Sequence, residues 1–219
     1  MNINIKTDWS IFIQKEKEKH YFKTLLENLD NSYKTSVICP IKDNIFAAFN
    51  FFNVNKTQVV IIGQDPYPTP GRADGLAFSF GDNKKAKDSL KNIFVEMKND
   101  LNIERTKTKL DDWAQQGVLL INSALTFNKD SPKSHKNKKF GWVYFINNLI
   151  KYINENTSGV VFVLWGNDAK SKEILIDKTK HFVITSSHPS NIGGSCNKGF
   201  FGSKPFSKIN SLVKKKIIW

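Results

Sequence analysis

The sequence predicts an α/β fold: one domain spanning residues 1–219, with a four-stranded, mainly parallel sheet flanked by helices. Three observations carry this. Four short apolar runs rich in β-branched residues are spaced along the chain, as expected for strands covered on both faces. Stretches with apolar residues at helical spacing alternate with them, the order of a parallel α/β sheet. Across the 219 residues, no internal repeat or linker-like composition marks a second domain.

Taken in order, residues 9–29 and 43–52 read as amphipathic helices that pack on the sheet. The first strand is expected at 58–62. A helix over 89–100 places Leu90, Ile93, Phe94 and Met97 on one face. The second strand, 118–121, is followed by a helix over 142–154 that carries Phe145, Ile146, Leu149 and Ile153. Strand 160–164, a shorter helix at 169–176 and strand 182–185 complete the alternation. A last helix is expected over 206–215.

The chain has 33 basic and 20 acidic residues, a formal charge of +13. Such an excess suits a polyanionic partner, nucleic acid or anionic membrane, and equally a composition biased toward Lys, Asn and Ile. The lysines cluster: Lys84, Lys85 and Lys87; Lys133, Lys136, Lys138 and Lys139 around His135; and Lys214 to Lys216. The first two clusters fall in polar, loop-like stretches, where binding residues concentrate. No apolar run approaches the roughly 20 residues a membrane helix needs, so no membrane association is expected. Residues 1–10 lack a secretory signal pattern. Two cysteines, Cys39 and Cys196, build no disulfide framework, which favours a reducing, cytoplasmic setting.

Metalloprotease, Cys-x-x-Cys, Walker and serine-elbow patterns are all missing. The four histidines lack metal-ligand spacing, so no metal site is expected, and catalysis falls to Asp, His and Asn. Their placement is informative. Gly63-Gln64-Asp65-Pro66 follow the first strand and Asn122-Ser123 the second; Trp165-Gly166-Asn167 follow the third and Ser187-His188-Pro189 the fourth. In an open parallel sheet these ends lie along one edge, where ligands bind. Each alone reads as a turn or cap; four together point to a site.

Gly63-Gln64-Asp65-Pro66-Tyr67 and Gly75-Leu76-Ala77-Phe78-Ser79 resemble the water-activating and base-stacking motifs of family 1 uracil-DNA glycosylases. The segment from Leu119 to Thr126 looks like their uracil-reading motif. His188-Pro189-Ser190 resembles their DNA-intercalation loop, and Gly199-Phe200-Phe201-Gly202 the segment after that loop. The similarity extends through Trp113 to Gly117, Ser134-His135, Gly141-Trp142 and Val163 to Gly166, covering the chain from Trp9 onward.

The resemblance implies a monomeric base-excision-repair enzyme that hydrolyses, without a cofactor, the glycosidic bond of deoxyuridine in single- or double-stranded uracil-containing DNA. Asp65 and His188 would be catalytic, with His188 donating to uracil O2. Gln64, Tyr67, Phe78 and Asn122 would bind uracil: Asn122 pairs with O4 and N3–H, Phe78 stacks on the ring, and Tyr67 stands where a thymine methyl would clash. On the residues alone, Phe78 reads as core and Tyr67 as part of a turn. Ser89, Asn167 and Ser190 match phosphate-contacting positions, and Ile192 the apolar wedge.

Several positions depart from the family. Pro68 and Asp74 replace common histidines, Asp74 adding negative charge close to DNA. Lys84 to Asp88 replace a proline-rich segment, and Asn167 a serine. Asn191-Ile192-Gly193 begin a loop two residues longer than typical, which should cost more to order on binding. That loop and the high charge leave a second reading, a non-catalytic DNA-binding replication accessory module on the same fold.

Overall fold

The computed structural model describes residues 1–81, 86, 88–132 and 134–219; Lys84, Lys85, Lys87 and Lys133 of the lysine clusters lie outside the described residues. The central sheet contains β2 (Val59–Gly63), β3 (Val118–Asn122), β5 (Val161–Trp165) and β6 (Phe182–Ser186) in the order β3-β2-β5-β6. All three pairings are parallel, with Val59 opposite both Val118 and Val161, and Val161 opposite Phe182. A two-residue antiparallel pair, β1 (Ile38–Cys39) with β4 (Phe127–Asn128), lies apart from it and was not expected. Each sheet strand runs one residue past its expected C-terminus. Gly63 still pairs with Asn122, and Trp165 with Ser186, because ladder bonds use the backbone and ignore side-chain polarity.

The strands' alternation builds two cores. Val60, Ile62, Leu119, Ile121, Phe162 and Leu164 face one layer, formed with α1 (Trp9–Lys17), α2 (His20–Thr35) and α5 (Trp142–Asn156). Val59, Ile61, Val118, Leu120, Val161, Val163 and Trp165 face the other, with α3 (Asp88–Leu101), the short α4 (Asp111–Ala114) and α7 (Pro205–Leu212). Each such side chain, fully buried, contributes about 1.5–3 kcal/mol. Of the two edge strands, β3 is fully buried and β6 is not, with Phe182 43% exposed.

Four expected helices differ from their sequence reading. The stretch 9–29 splits because Lys19 is extended (φ −82°, ψ 138°), while the buried Glu16 carboxylate accepts hydrogen bonds from Lys19, Tyr21 and Asn148. Residues 43–52 form two 3-10 turns, Lys42–Asn44 and Ala47–Asn50, that sink Ile45, Phe46, Phe49 and Phe52 into the core together. Residues 169–176 hold only the end of α6 (Asn167–Lys170) and a 3-10 turn, Glu173–Leu175. The last helix stops at Leu212, since Gln58 Oε1 accepts from the Lys215 amide and Gln116 Oε1 from that of Ile218. Those bonds hold an extended tail whose Trp219 packs edge-on against Trp113.

Candidate active site

All four strand exits open on the same edge of the sheet, as the parallel register requires. The turn leaving β2 is bonded to the exit of β3: Ser123 N–H donates to Gly63 O (2.9 Å) and Ala124 N–H to Gln64 O (3.3 Å). Gly63 is needed for close approach, because a Cβ there would stand 2.3 Å from Asn122 Oδ1 and 3.3 Å from Phe78 Cε2. Gly166 plays the same part after β5. A Cβ on it would lie 2.9 Å from His188 Cβ, and its φ of +87° is unfavourable for other residues.

A cavity of about 300 Å³ opens here, lined by Gln64, Asp65, Tyr67, Phe78, His188 and Ile192, with Pro66, Pro68, Ser89, Ser190 and Asn191 completing the wall. Asn167 lines an adjoining cavity that shares Gln64, His188, Ser190 and Ile192. Asn122 is set behind the wall, only 6% exposed, and its amide makes no hydrogen bond among the described residues. Nine of the ten residues expected from sequence therefore line one of two adjoining cavities, and the tenth lies within contact distance of Gly63 and near the Phe78 ring edge.

Phe78 has φ +66°, a strained value for a non-glycine residue. It is fixed there by the Ala77 N–H bond to Leu120 O (3.1 Å) and by Tyr67 Oη–H donating to Phe78 O (3.2 Å). Its ring meets Trp165 edge-on at 5.5 Å and lies 6.1 Å from His188. Tyr67 stands edge-on to Phe80 at 5.2 Å, and the Arg72 guanidinium lies 5.0 Å from the Tyr67 ring.

His188 Nδ1 accepts the Ser190 backbone N–H at 3.1 Å. The ring's proton therefore resides on Nε2. Burial pulls its pKa below the ordinary histidine value, so the imidazole is neutral at neutral pH. Asp65 is the opposite case. Burial pushes its carboxyl up, the Lys136 ammonium opposes this, and Asp168 adds to the rise. Asp65 Oδ2 pairs with Lys136 Nζ at 2.7 Å, while Oδ1 is buried with no hydrogen-bond partner among the described residues.

Lys136 and Asp168 were missed as members of the site; the sequence placed Lys136 only in a cluster of charge. The turn Ser134–Lys136 aims it. Trp142 Nε1–H donates to Thr126 Oγ1 (2.8 Å), and the same hydroxyl is hydrogen-bonded to His135 Nδ1 (2.8 Å). His135, buried and stacked on Phe140 at 3.9 Å, is held by burial to a pKa of about 4. The lysine cluster around it thus surrounds a structural histidine.

Two of the departures from the family pattern have structural roles. Asp74 turns inward, accepting from Ser79 Oγ–H (2.6 Å) and Leu76 N–H (3.1 Å), so its carboxylate holds a turn. The longer loop after Ser190 is clamped in place. Buried Asn92 donates to Pro189 O (2.6 Å) and Asn191 Oδ1 (2.8 Å), and Cys196 N–H bonds Ser190 O (3.0 Å). Ile192 projects from it, 84% exposed. A larger cavity of about 490 Å³ lies at the opposite edge, with Lys56 and Lys214 to Lys216 but no carboxylate or imidazole in its wall.

Among the described residues, no helix is long and apolar enough to cross a membrane, and no three His, Cys, Asp or Glu side chains form a metal-binding group. Fold and site together define an α/β protein with an aromatic, carboxylate- and imidazole-bearing pocket at the C-terminal edge of a parallel sheet. A family model described as the uracil DNA glycosylase superfamily matches residues 49–214. The uracil-DNA glycosylase of Buchnera aphidicola subsp. Cinara cedri is 44% identical over 98% of this chain and 95% of its own. That of Aliarcobacter butzleri is 43% identical over 96% and 99%. The crystal structure of mimivirus uracil-DNA glycosylase superposes with a TM-score of 0.87 at 31% identity, covering 96% of this chain and 85% of that one. The chain belongs to the uracil-DNA glycosylase superfamily.

Proposed function

We infer that the protein is a DNA-repair uracil-DNA glycosylase, hydrolysing the bond between uracil and deoxyribose to leave free uracil and an abasic site. The observation that carries the reading is the pairing of a neutral imidazole with a carboxylate oxygen lacking any partner among the described residues, both beside a strained aromatic ring.

A base inside a duplex is out of reach, so uracil must leave the stack, at a cost of a few kcal/mol. In this reading Ser89, Asn167 and Ser190 hold backbone phosphates and Ile192 fills the vacated stack. The clamp by Asn92 sets that loop before DNA arrives and lowers its ordering cost. Uracil stacks on Phe78, within the wall that includes Gln64. The Asn122 amide supplies a donor for O4 and an acceptor for N3–H; cytosine offers the reverse and would leave buried polar groups unpaired. Tyr67 closes the space a thymine methyl requires.

As the bond from C1′ to N1 breaks, its electron pair stays on the base and positive charge grows on the sugar. His188 Nε2–H donates to uracil O2, a preorganised bond that needs no proton transfer. Asp65 Oδ1 faces the developing cation and orients water for attack on C1′. The oxygen of that water bonds to C1′, and its proton passes to Asp65 and on to solvent. The net reaction is hydrolysis, with no oxidation or reduction to balance. Residues 1–219 act as one catalytic unit, a cytoplasmic monomer in this reading.

The test is release of free uracil from a defined uracil-containing oligonucleotide with a chelator present and Asp65→Asn as control. Release lost in the control supports the reading. Binding without release, at high enzyme concentration, would sink it in favour of the non-catalytic module.

A further inference from the structure

The Asp65 carboxylate belongs to a chain of charges that glycosidic hydrolysis alone does not explain. Lys136 Nζ lies 2.7 Å from Asp65 Oδ2 and 3.4 Å from Asp168 Oδ2. Gln64 Nε2–H donates to the same Asp168 oxygen at 2.8 Å, tying the far end of the chain to the turn that carries Asp65. The ammonium is therefore shared between two carboxylates on different elements. His135, buried beneath Thr126 and Phe140, fixes the turn from which Lys136 projects. Lys136 and Asp168 also line a small cavity together with Ser123, Val143, Ser171 and Lys172.

We propose that Lys136 is the positioning residue of the reaction's carboxylate and Asp168 its counterweight, a role that rests on the glycosylase reading. Two physical needs meet at Asp65. Filling the pocket with a base strips water from the carboxylate, and a desolvated carboxylate gains a proton unless a cation stands beside it. A cation placed there alone would cancel the negative charge that stabilises the sugar cation. Sharing Lys136 with Asp168 meets both: Asp65, Lys136 and Asp168 together carry −1. The pairing also distinguishes the two oxygens, since Oδ2 is engaged by the ammonium and Oδ1 is left for water and the sugar.

The charged and titratable groups facing Asp65 come from three elements: Lys136 from its turn, Asp168 from α6, and His188, neutral at neutral pH, from the segment after β6. The two ions act on Asp65 in opposite directions, which gives the proposal a signature. Lys136→Met removes the cation and moves the acid limb of the single-turnover rate to higher pH, with a loss of roughly tenfold on that limb. Asp168→Asn leaves Lys136 to Asp65 alone, so it moves the limb to lower pH and reduces the alkaline plateau. Lys136→Arg returns the limb toward its wild-type place.

The experiment measures uracil release against pH for these variants, together with a carbon-13 carboxyl titration of Asp65 in each. Opposite displacements for Lys136→Met and Asp168→Asn, seen in both readouts, are the expected result. Equal losses at every pH, or a rise in KM with kcat and the limb unchanged, would assign Lys136 to DNA phosphate contact and overturn the proposal. The carboxyl titration needs no turnover. If the wild-type protein released no uracil, the glycosylase reading would fall while the Lys136–Asp65 coupling remained measurable.

Discussion

Replacing Gly63 by alanine tests whether the geometry around Asn122 reads the base. Gly63 ends β2 with φ outside the left-handed region, so an alanine backbone is allowed there. What resists the methyl is its surroundings. The new Cβ would lie 2.3 Å from Asn122 Oδ1, 3.1 Å from Ala77 Cβ and 3.3 Å from Phe78 Cε2. The last two contacts relax by a few tenths of an ångström. The first does not: to restore ordinary contact the amide must retreat by about 1 Å, the scale of misplacement that costs about 100-fold in rate. Crowding costs about 1–3 kcal/mol, partly offset by roughly 0.5–1 kcal/mol because alanine suits a strand better than glycine. Stability should therefore fall by about 2.5 kcal/mol or less, leaving a folded protein. The assay is single-turnover uracil release for Gly63→Ala, Asn122→Ala and the double variant, with thermal melts alongside. In the Asn122→Ala background, the Gly63 substitution should cost no more than about threefold, since the group it displaces is gone. A near-wild-type rate for Gly63→Ala would show that Asn122 does not read uracil from this position. An undiminished loss in the double variant would place the damage at Phe78 instead.

Three other expectations rest on the same geometry. Tyr67→Ala removes the ring held against Phe80 and Arg72 and should release thymine from thymine-containing DNA; unchanged discrimination would mean another group guards that space. Asp65→Asn should abolish uracil release yet raise the melting temperature at neutral pH, because burial makes the ionised carboxylate costly. That advantage should shrink as acid protonates wild-type Asp65, and a melting temperature below wild type at pH 7 would refute it. His135 has a folded pKa of about 4, below its ordinary value of 6.5, so its neutral form contributes stability in full above pH 6.5. About 3 kcal/mol of it should be lost as pH falls from 6.5 to 4. Denaturant melts across that range should show a shallower loss for His135→Asn than for wild type; parallel curves would contradict the assignment.

The position of the sheet and most of the site were legible in the sequence because both are written locally. A buried strand needs a run of β-branched residues, and a ligand edge needs polar residues where each run ends. Asp65, Asn122, Asn167 and His188 stand within three residues of such ends. Helix limits were less legible. Lys19, the turns over 42–50 and the tail after Leu212 depend on contacts with distant groups such as Glu16, Gln58 and Gln116, which local periodicity does not contain.

The sequence by itself determined the parallel α/β fold, the convergent strand ends and the identities of the pocket residues. Only the tertiary structure decided how they are supported. Lys136, one lysine among many in a charged stretch, becomes the partner of Asp65. Asn92 meets Pro189 from 97 residues away and sets the loop that carries Ile192. Asp74 holds a turn through Ser79 and Leu76, and Gly63 proves to be the space beside an amide. The physical reason is common to all four. Burial and charge pairing are properties of groups brought together by folding, and a residue's neighbours in the chain do not specify its neighbours in space.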